Sequence, residues 1–241
     1  MVLLLEVLTL LGVLPGRFLP PPSEVLGRLA LEVQMATFWT ATWQTVLGWA
    51  LGLLIAMAIA IPVGITLASS NLIYFATRPI VEFLRPVPSV ALIPLVFLVF
   101  SPTMEGKVFL AAYAATWPLL VQTQYGIRSV QSTQRDTARS FQIAPWRVIM
   151  RVVMPSALPY IATGLRISST VSLILVVSGE IILGAPGIGQ QINLAREGGD
   201  FAAMYAFVVV AGLVGLALNA IFARVERRLL HWHPSQRNQT I

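Results

Sequence analysis

The chain has 241 residues, of which 56% are hydrophobic and 11% are charged, and its mean hydropathy is +0.78. Because soluble domains carry roughly 25% charged residues, this composition excludes an ordinary soluble protein and predicts an integral membrane protein. The lack of cysteine excludes disulfide and thiolate chemistry, and the arginines behind the net charge of +6 are placed as markers of membrane orientation, not of nucleic-acid binding.

Apolar runs predict an all-α membrane domain that covers residues 1–241 and crosses the bilayer about six times, with five crossings as the alternative. The first run, Val2 to Leu14, is short for a span, and the prolines that follow it exclude a continuous helix. The expected spans lie at about 2–14, 38–68, 87–100, 108–125, 156–183 and 202–223.

Positive charge is unevenly distributed between the loops on the two sides of these spans. One side is rich in arginine: Arg78, Arg128, Arg135, Arg139, Arg147, Arg151, Arg224, Arg227, Arg228 and Arg237. The other side has only Arg17, Arg28, Lys107 and Arg196. Since cytoplasmic loops carry the excess of Lys and Arg, both termini and the polar segment 133–155 are expected in the cytoplasm.

The polar segment ends in the stretch DTARSFQIAPWRVIMRVVMP, residues 136–155. Its prolines predict a helix that stops near Gln142, a second helix that begins at Pro145, and an end to that helix at Pro155. Arg147 and Arg151 are four residues apart and share one edge of the second helix, beside an apolar stripe. Such an amphipathic pair of helices fits either a surface that lies on the membrane or a docking element for a partner.

Four charged residues fall within or beside the predicted spans. Glu180 is a candidate for the translocation path or gate, or else a structural carboxylate bonded to a neighbouring helix or to the turn Gly184 to Gly189. Glu82 and Arg85 are either a structural pair on one helical face or part of the translocation path or gate, and Arg166 either lines the path or extends to the cytoplasmic headgroups. No catalytic group and no metal site are expected, because the two histidines, His231 and His233, both lie in the C-terminal tail.

The cytoplasmic segment resembles the E-A-A, three residues, G, nine residues, I-x-L-P motif of the membrane subunits of binding-protein-dependent ABC importers. Asp136-Thr137-Ala138, Gln142 and the run from Val152 to Pro155 stand at matching intervals. The stretches FLPPPSEVL, EFLRPVPSVALIPL, RVVMPSALPYIATGLRIS and GAPGIGQQI are similar to the nitrate, sulfonate and taurine branch of that family. Asp136, Thr137 and Gln142 depart from the family's Glu, Ala and Gly.

The resemblance implies the fold of a type I importer permease, a homodimer in a bacterial inner membrane, with a small anionic solute of the sulfonate, taurine or nitrate type. It implies an extracytoplasmic substrate-binding protein and two ATPase subunits, which would bind the ATP and Mg, whereas this chain has no cofactor, no Walker motif and no catalytic role. It also implies that the segment couples transport to the ATPase through Asp136, Ala138, Arg139, Gln142, Pro145, Arg147, Met154 and Pro155.

An alternative function is a secondary transporter or channel that uses an ion gradient through Glu180 and Arg166. That alternative predicts transport by the chain alone, whereas the importer predicts none without an ATPase subunit and ATP.

Overall fold

The structure, a computed structural model, describes residues 2–12, 15, 18–130 and 132–229, and the elements within these ranges are helical. The helices are α1 (Val2–Leu10), α2 (Pro22–Glu32), α3 (Ala36–Ser69), α4 (Asn71–Leu84), α5 (Ile93–Phe100), α6 (Met104–Arg128), α7 (Ser132–Ser140), α8 (Pro145–Val148), α9 (Met154–Leu183), α10 (Ile188–Glu197) and α11 (Phe201–Leu229). A 3-10 turn at Ser89–Leu92 precedes α5, and a π-helical turn at Ile149–Val153 joins α8 to α9.

The centre of the molecule is the packing of α6 between α3 and α9. Glycines allow the close approach: a Cβ added at Gly64 of α3 would come within 2.8 Å of the Thr123 Cβ on α6. A Cβ added at Gly126 of α6 would come within 2.9 Å of the Tyr160 Cβ on α9. Small residues at such positions let helix backbones pack tightly where lipid supplies no hydrophobic driving force.

Within the described ranges, three helical segments are long and apolar enough to cross a membrane, Ala36–Ser69, Trp146–Glu197 and Phe201–Arg228, and a bent pair of helices adds a fourth if its two arms form one span. The 25-residue α6 has the length of a span as well, roughly 37 Å at 1.5 Å per residue, but it carries charged residues and is largely buried between its neighbours. The first predicted span contains only the nine-residue α1, which is too short to cross alone.

The third predicted span, 87–100, is one arm of the bent pair and not a helix of its own. Residues Asn71–Leu84 and Ser89–Phe100 are bent by 71° at the break between them, and α5 is only eight residues long. Pro86 and Pro88 lie in and beside this break, where their missing N–H groups and fixed φ prevent a continuous helix.

Pro155 does not end a helix, which corrects the prediction from sequence. It lies in the first turn of α9, and helical structure continues through it from the π-helical turn Ile149–Val153. In that turn the Met154 N–H donates to the Ile149 carbonyl, five residues back. This wider register places Pro155 where its missing N–H breaks no α-helical ladder, and the Ser156 hydroxyl donates to the Val152 carbonyl at 2.7 Å.

Candidate functional site

The turn between α7 and α8 has the geometry of a Schellman motif. The Ile143 N–H donates to the Ala138 carbonyl at 3.0 Å, and Gln142 between them has a φ of +53°. The Ala138 side chain is buried. Gln142 therefore adopts the left-handed conformation that favours glycine, and the turn forms at the cost of backbone strain.

A hydrophobic surface covers the outside of this two-helix element. Phe141, Trp146 and Met150 are 75%, 63% and 65% exposed, although they are large apolar side chains. The Arg147 guanidinium lies 5.4 Å from the centre of the Trp146 ring and adds positive charge beside the apolar groups. We call Phe141, Trp146, Arg147 and Met150 the projecting surface.

The other residues expected to take part in coupling are distributed along the same element. Asp136 is exposed on α7, while Met154 and Pro155 are half-buried in the first turn of α9. The side chains of Arg139 and Pro145 lie outside the described part of the structure, although α7 and α8 include their backbones.

A buried ion pair lies at the far end of α9. The Lys107 Nζ of α6 is 2.6 Å from Oε1 of Glu180, and both side chains are fully buried. The ammonium group also donates to the Gln44 carbonyl at 3.0 Å and to the Pro186 carbonyl, so its three N–H donors are used. Because each charge has a partner and further hydrogen bonds, the pair can persist in a low-dielectric interior.

The turn between α9 and α10 closes over this pair. The Gly189 N–H donates to Oε2 of Glu180 at 3.0 Å, and the Thr45 hydroxyl donates to the same oxygen at 2.9 Å. The Thr45 oxygen in turn accepts the Ile188 N–H at 2.9 Å. At Gly187, where φ is +155°, an added Cβ would overlap the Glu180 carboxylate. Glycine at this position thus lets the backbone pass directly over the carboxylate.

The structure gives Glu180 the partners of the structural alternative, a neighbouring helix and the turn Gly184 to Gly189. Lys107 and Thr45 are partners of Glu180 that the sequence does not predict. Lys107 was assigned to a loop, whereas α6 already begins at Met104 and places Lys107 in its first turn. The sequence signal for Lys107 was a lone cation directly before the apolar run that begins at Val108.

Arg166 lies at a different surface, between α9 and α11. Its Nε–H donates to Oδ1 of Asn219 at 3.0 Å, and its Nη1 is 3.8 Å from Oε2 of Glu226. A cavity of about 290 Å³ opens beside it, lined by Arg166, Ser169, Thr170, Leu173, Gly215, Leu218, Asn219 and Phe222. Arg166 makes its ion pair with α11 and not with Glu180, because fourteen residues along α9 separate the two by roughly 21 Å.

Glu82 and Arg85 do not pair with each other as expected. The Glu82 carboxylate accepts instead from Arg78, one turn earlier on α4, at 2.7 Å. At this i, i+4 spacing the two side chains meet on one face of the helix. Arg78, Glu82 and Arg85 line a second cavity, of about 260 Å³. Gln124 and Tyr125 of α6 form its opposite wall. The projecting surface, the buried ion pair and the two arginine-lined cavities are therefore separate features of the molecule.

Within the residues that the structure describes, no group of three or more His, Cys, Asp or Glu side chains is arranged to hold a metal ion.

Comparison with known proteins gives one consistent family. Residues 60–231 match the family described as binding-protein-dependent transport system inner membrane component. The nitrate import permease protein NrtB of Leptolyngbya laminosa is 31% identical over 75% of this chain, and the match spans 65% of NrtB, slightly less than two thirds of its length. The taurine transport system permease protein TauC of Escherichia coli K12 is 32% identical over 90% of this chain and 80% of TauC.

Another relative and two solved structures agree with this result. The bicarbonate transport system permease protein CmpB of Synechococcus elongatus is 32% identical over 78% of this chain and 69% of CmpB. An inward-facing MetNI methionine ABC transporter has a TM-score of 0.71 at 17% identity, over 81% of this chain and 97% of that chain. An amino acid ABC transporter with histidines has a TM-score of 0.69 at 18% identity, over 83% and 97%. At these identities the structures establish the fold alone.

Proposed function

Because this chain belongs to the family of binding-protein-dependent transport system inner membrane components, we propose that it is the permease subunit of an ATP-driven ABC importer. Two copies form the translocation path, a substrate-binding protein delivers the solute on the outer side, and two ATPase subunits drive the change between outward- and inward-facing states. The chain itself is non-catalytic, and ATP and Mg bind to the ATPase subunits.

The projecting surface carries this proposal. Phe141, Trp146 and Met150 are mostly exposed, and they lie on an element that cannot span the hydrocarbon. Its helix α7 is short and polar, and α8 has only four residues. Exposed aromatic and methionine side chains beside an arginine have the composition of the centre of a protein–protein interface. An ATPase subunit that receives this surface in a cleft would be held by packing and by charge complementarity with Arg147.

The proposed topology places both termini and the projecting surface in the cytoplasm of a bacterial cell, with the protein as a multi-pass component of the inner membrane. Contacts between helices support a common side for the arginine-rich ends. Arg166 of α9 pairs with Glu226 in the last turn of α11, and Leu173 further along α9 lies beside Gly215 earlier on α11, so the two helices are antiparallel. The end of α11 with Arg227 and Arg228 therefore lies on the same side as the start of α9 and the projecting surface.

The proposed solute is a small anion or a sulfonate. Three relatives with about the same identity to this chain are named for nitrate, taurine and bicarbonate transport, and each of those solutes carries a planar or compact oxyanion group. The cavities lined by Arg78, Arg85 and Arg166 supply cations on the surface of the bundle, in agreement with an anionic solute.

The test is ATP-driven uptake by proteoliposomes that contain this chain, its ATPase subunit and its substrate-binding protein. Uptake should require ATP and the binding protein, and a proton or sodium gradient without ATP should give none. Transport by the chain alone under such a gradient would support the alternative, an ion-coupled secondary transporter, and contradict the importer.

In the same preparation Trp146→Ala should weaken association of the ATPase subunit by at least about tenfold, because buried tryptophans at interface centres contribute about 2 kcal/mol or more. Trp43→Ala is the matched control, since Trp43 on α3 is also 63% exposed but lies outside the projecting surface. Co-purification of the ATPase subunit and its maximal ATP hydrolysis rate measure the effect. Equal losses in both variants would rule out docking through the projecting surface.

A further inference from the structure

The cavity between α9 and α11 is lined by an arginine, Arg166, that is separate from the buried ion pair of Lys107 and Glu180. Along α9 the charged residues are Arg166 and Glu180, and Lys107 already balances Glu180 at the other end of the helix. The Arg166 side chain is 46% exposed, and its carboxylate neighbour, Glu226, is 3.8 Å away. A charge in this position, surrounded by apolar helix surface, is costly unless it faces water, another protomer or a polar ligand.

Asn219 and Glu226 use only part of the hydrogen-bonding capacity of the Arg166 guanidinium group, and this group lines the cavity. Asn219 accepts the Nε–H at 3.0 Å and fixes the plane of the guanidinium group. Glu226 approaches only Nη1 and only at 3.8 Å, a distance at which a hydrogen bond is weak or absent. A guanidinium group held in one plane with open N–H donors is suited to bidentate binding of a planar or tetrahedral oxyanion.

The remaining lining makes the cavity suitable for a small solute. Ser169 and Thr170 place hydroxyl-bearing residues on the α9 side, and Gly215 leaves space on the α11 side. A Cβ added at Gly215 would lie 3.3 Å from Leu173, so any larger side chain there would enter the cavity. With about 30 Å³ per water molecule in the liquid, a volume of about 290 Å³ accommodates an oxyanion of a few non-hydrogen atoms together with water.

We infer that the cavity between α9 and α11 is a binding site for a small oxyanion on the translocation path, with Arg166 as the specificity-determining residue and Asn219 as its positioning residue. This inference rests on the proposed function, because it names the solute class and the residue that recognises it. Glu226 competes with the anion for the guanidinium group and weakens its binding, as carboxylate and ligand carry charge of the same sign.

The test uses nitrate as the probe and measures binding to the purified chain without the ATPase subunit or the binding protein. Nitrate should raise the thermal unfolding midpoint of the wild-type chain in a saturable manner above a chloride background. Arg166→Gln should abolish this increase, and Glu226→Gln should lower the nitrate concentration at half-effect by at least about threefold. Arg227→Gln, which removes the same charge from α11 outside the cavity lining, should behave as wild type.

These opposite effects separate a binding role from a structural role. If Arg166 and Glu226 only joined α9 to α11, both Gln variants would lower the unfolding midpoint and neither would improve nitrate binding. The inference would be overturned if nitrate still raised the unfolding midpoint of Arg166→Gln. It would also be overturned if Arg166→Gln changed only the oligomeric state of the chain.

Transport measurements distinguish a failure of the site from a failure of the proposed function. In the complete reconstituted transporter, Arg166→Gln should reduce ATP-driven nitrate, bicarbonate or taurine uptake by at least about tenfold while ATP hydrolysis continues. Absence of ATP-driven uptake of all three by the wild-type complex would contradict the proposed solute class, and the binding measurement would still decide whether the cavity binds an oxyanion. Wild-type uptake by Arg166→Gln would contradict the site and leave the importer intact.

Discussion

At the scale of single residues, the contact between Lys107 and Glu180 has the largest energetic consequence. Both side chains are fully buried, and the hydrogen bonds of Thr45 and Gly189 complete the carboxylate's shell. Removing one member of such a pair leaves an uncompensated buried charge, which costs about 3–5 kcal/mol, whereas replacing both members is often nearly neutral. The pair therefore determines how three helices and a turn fit together more than it determines total stability.

We expect Lys107→Met to lower the thermal unfolding midpoint of the purified chain strongly, and the double variant Lys107→Met/Glu180→Gln to recover most of that loss. The reason is that the double variant removes the second charge together with the first. Unfolding midpoints of the two singles and the double measure the coupling. The exposed pair of Arg78 and Glu82 is the control, and its equivalent variants should change the midpoint little. A double variant less stable than Lys107→Met would show that the charges are not coupled.

The partner of Glu180 illustrates what the sequence can and cannot predict about a residue. A carboxylate inside an apolar run predicts a buried partner or a cavity, and the turn Gly184 to Gly189 could be named because it follows on the same helix. Lys107 lies 73 residues earlier in the chain, and only the packing of α6 against α9 brings the two together. Likewise, the spacing of Glu82 and Arg85 allowed a pair, but Arg78 offered Glu82 the alternative one turn away.

At the scale of elements, the helix–turn–helix of the polar segment 133–155 follows its sequence closely in one respect and not in another. The first helix ends where expected, because Gln142 adopts a positive φ and the Schellman hydrogen bond closes the turn. The second helix does not end at Pro155, because the π-helical turn Ile149–Val153 changes the hydrogen-bond register before the proline. Proline spacing predicts helix ends only when the preceding turn is α-helical, which a single sequence does not reveal.

The strained turn gives a direct test at this scale. Gln142→Gly should stabilise the turn by about 1 kcal/mol, since glycine adopts the left-handed conformation without the Cβ penalty. Amide hydrogen exchange in α7 and α8 should slow accordingly. Gln134→Gly, the same substitution in the first turn of α7, should have the opposite sign and reduce helix stability by up to about 1 kcal/mol. Faster exchange in Gln142→Gly would mean that Gln142 has contacts that outweigh the strain.

At the scale of the whole molecule, composition and hydropathy predicted the all-helical membrane fold, and the family match and structural neighbours confirm it. The bounds of individual spans were less predictable. Prolines at 86 and 88 turn one expected span into a bent pair, and α6, expected at about 108–125, extends over Met104–Arg128 and so includes the charged residues Glu105, Lys107 and Arg128. In both cases tertiary packing compensates for a local feature that would be unfavourable in an isolated span.

The proposed orientation can be measured directly, because the chain has no native cysteine to remove. Thr133→Cys on α7 should react with a membrane-impermeant maleimide only after cells are permeabilised, since α7 is assigned to the cytoplasm. Glu197→Cys at the end of α10 should react in intact cells, because α10 lies at the opposite end of α9. Both positions are exposed, so access to the reagent, not burial, decides the result. Reversed labelling of the two positions would invert the topology.

The separation of Lys107 from Glu180 also has a consequence for biosynthesis. At 5–20 residues per second, a ribosome needs roughly 4–15 s to make the 73 residues between them. Until Glu180 has been synthesised, the Lys107 side chain lacks the carboxylate that it contacts in the folded chain. We therefore expect the amino end of α6 to stay near water at first and to reach its final depth in the membrane only when α9 packs against it. We therefore expect membrane assembly to be ordered, with the final position of α6 dependent on the synthesis of α9.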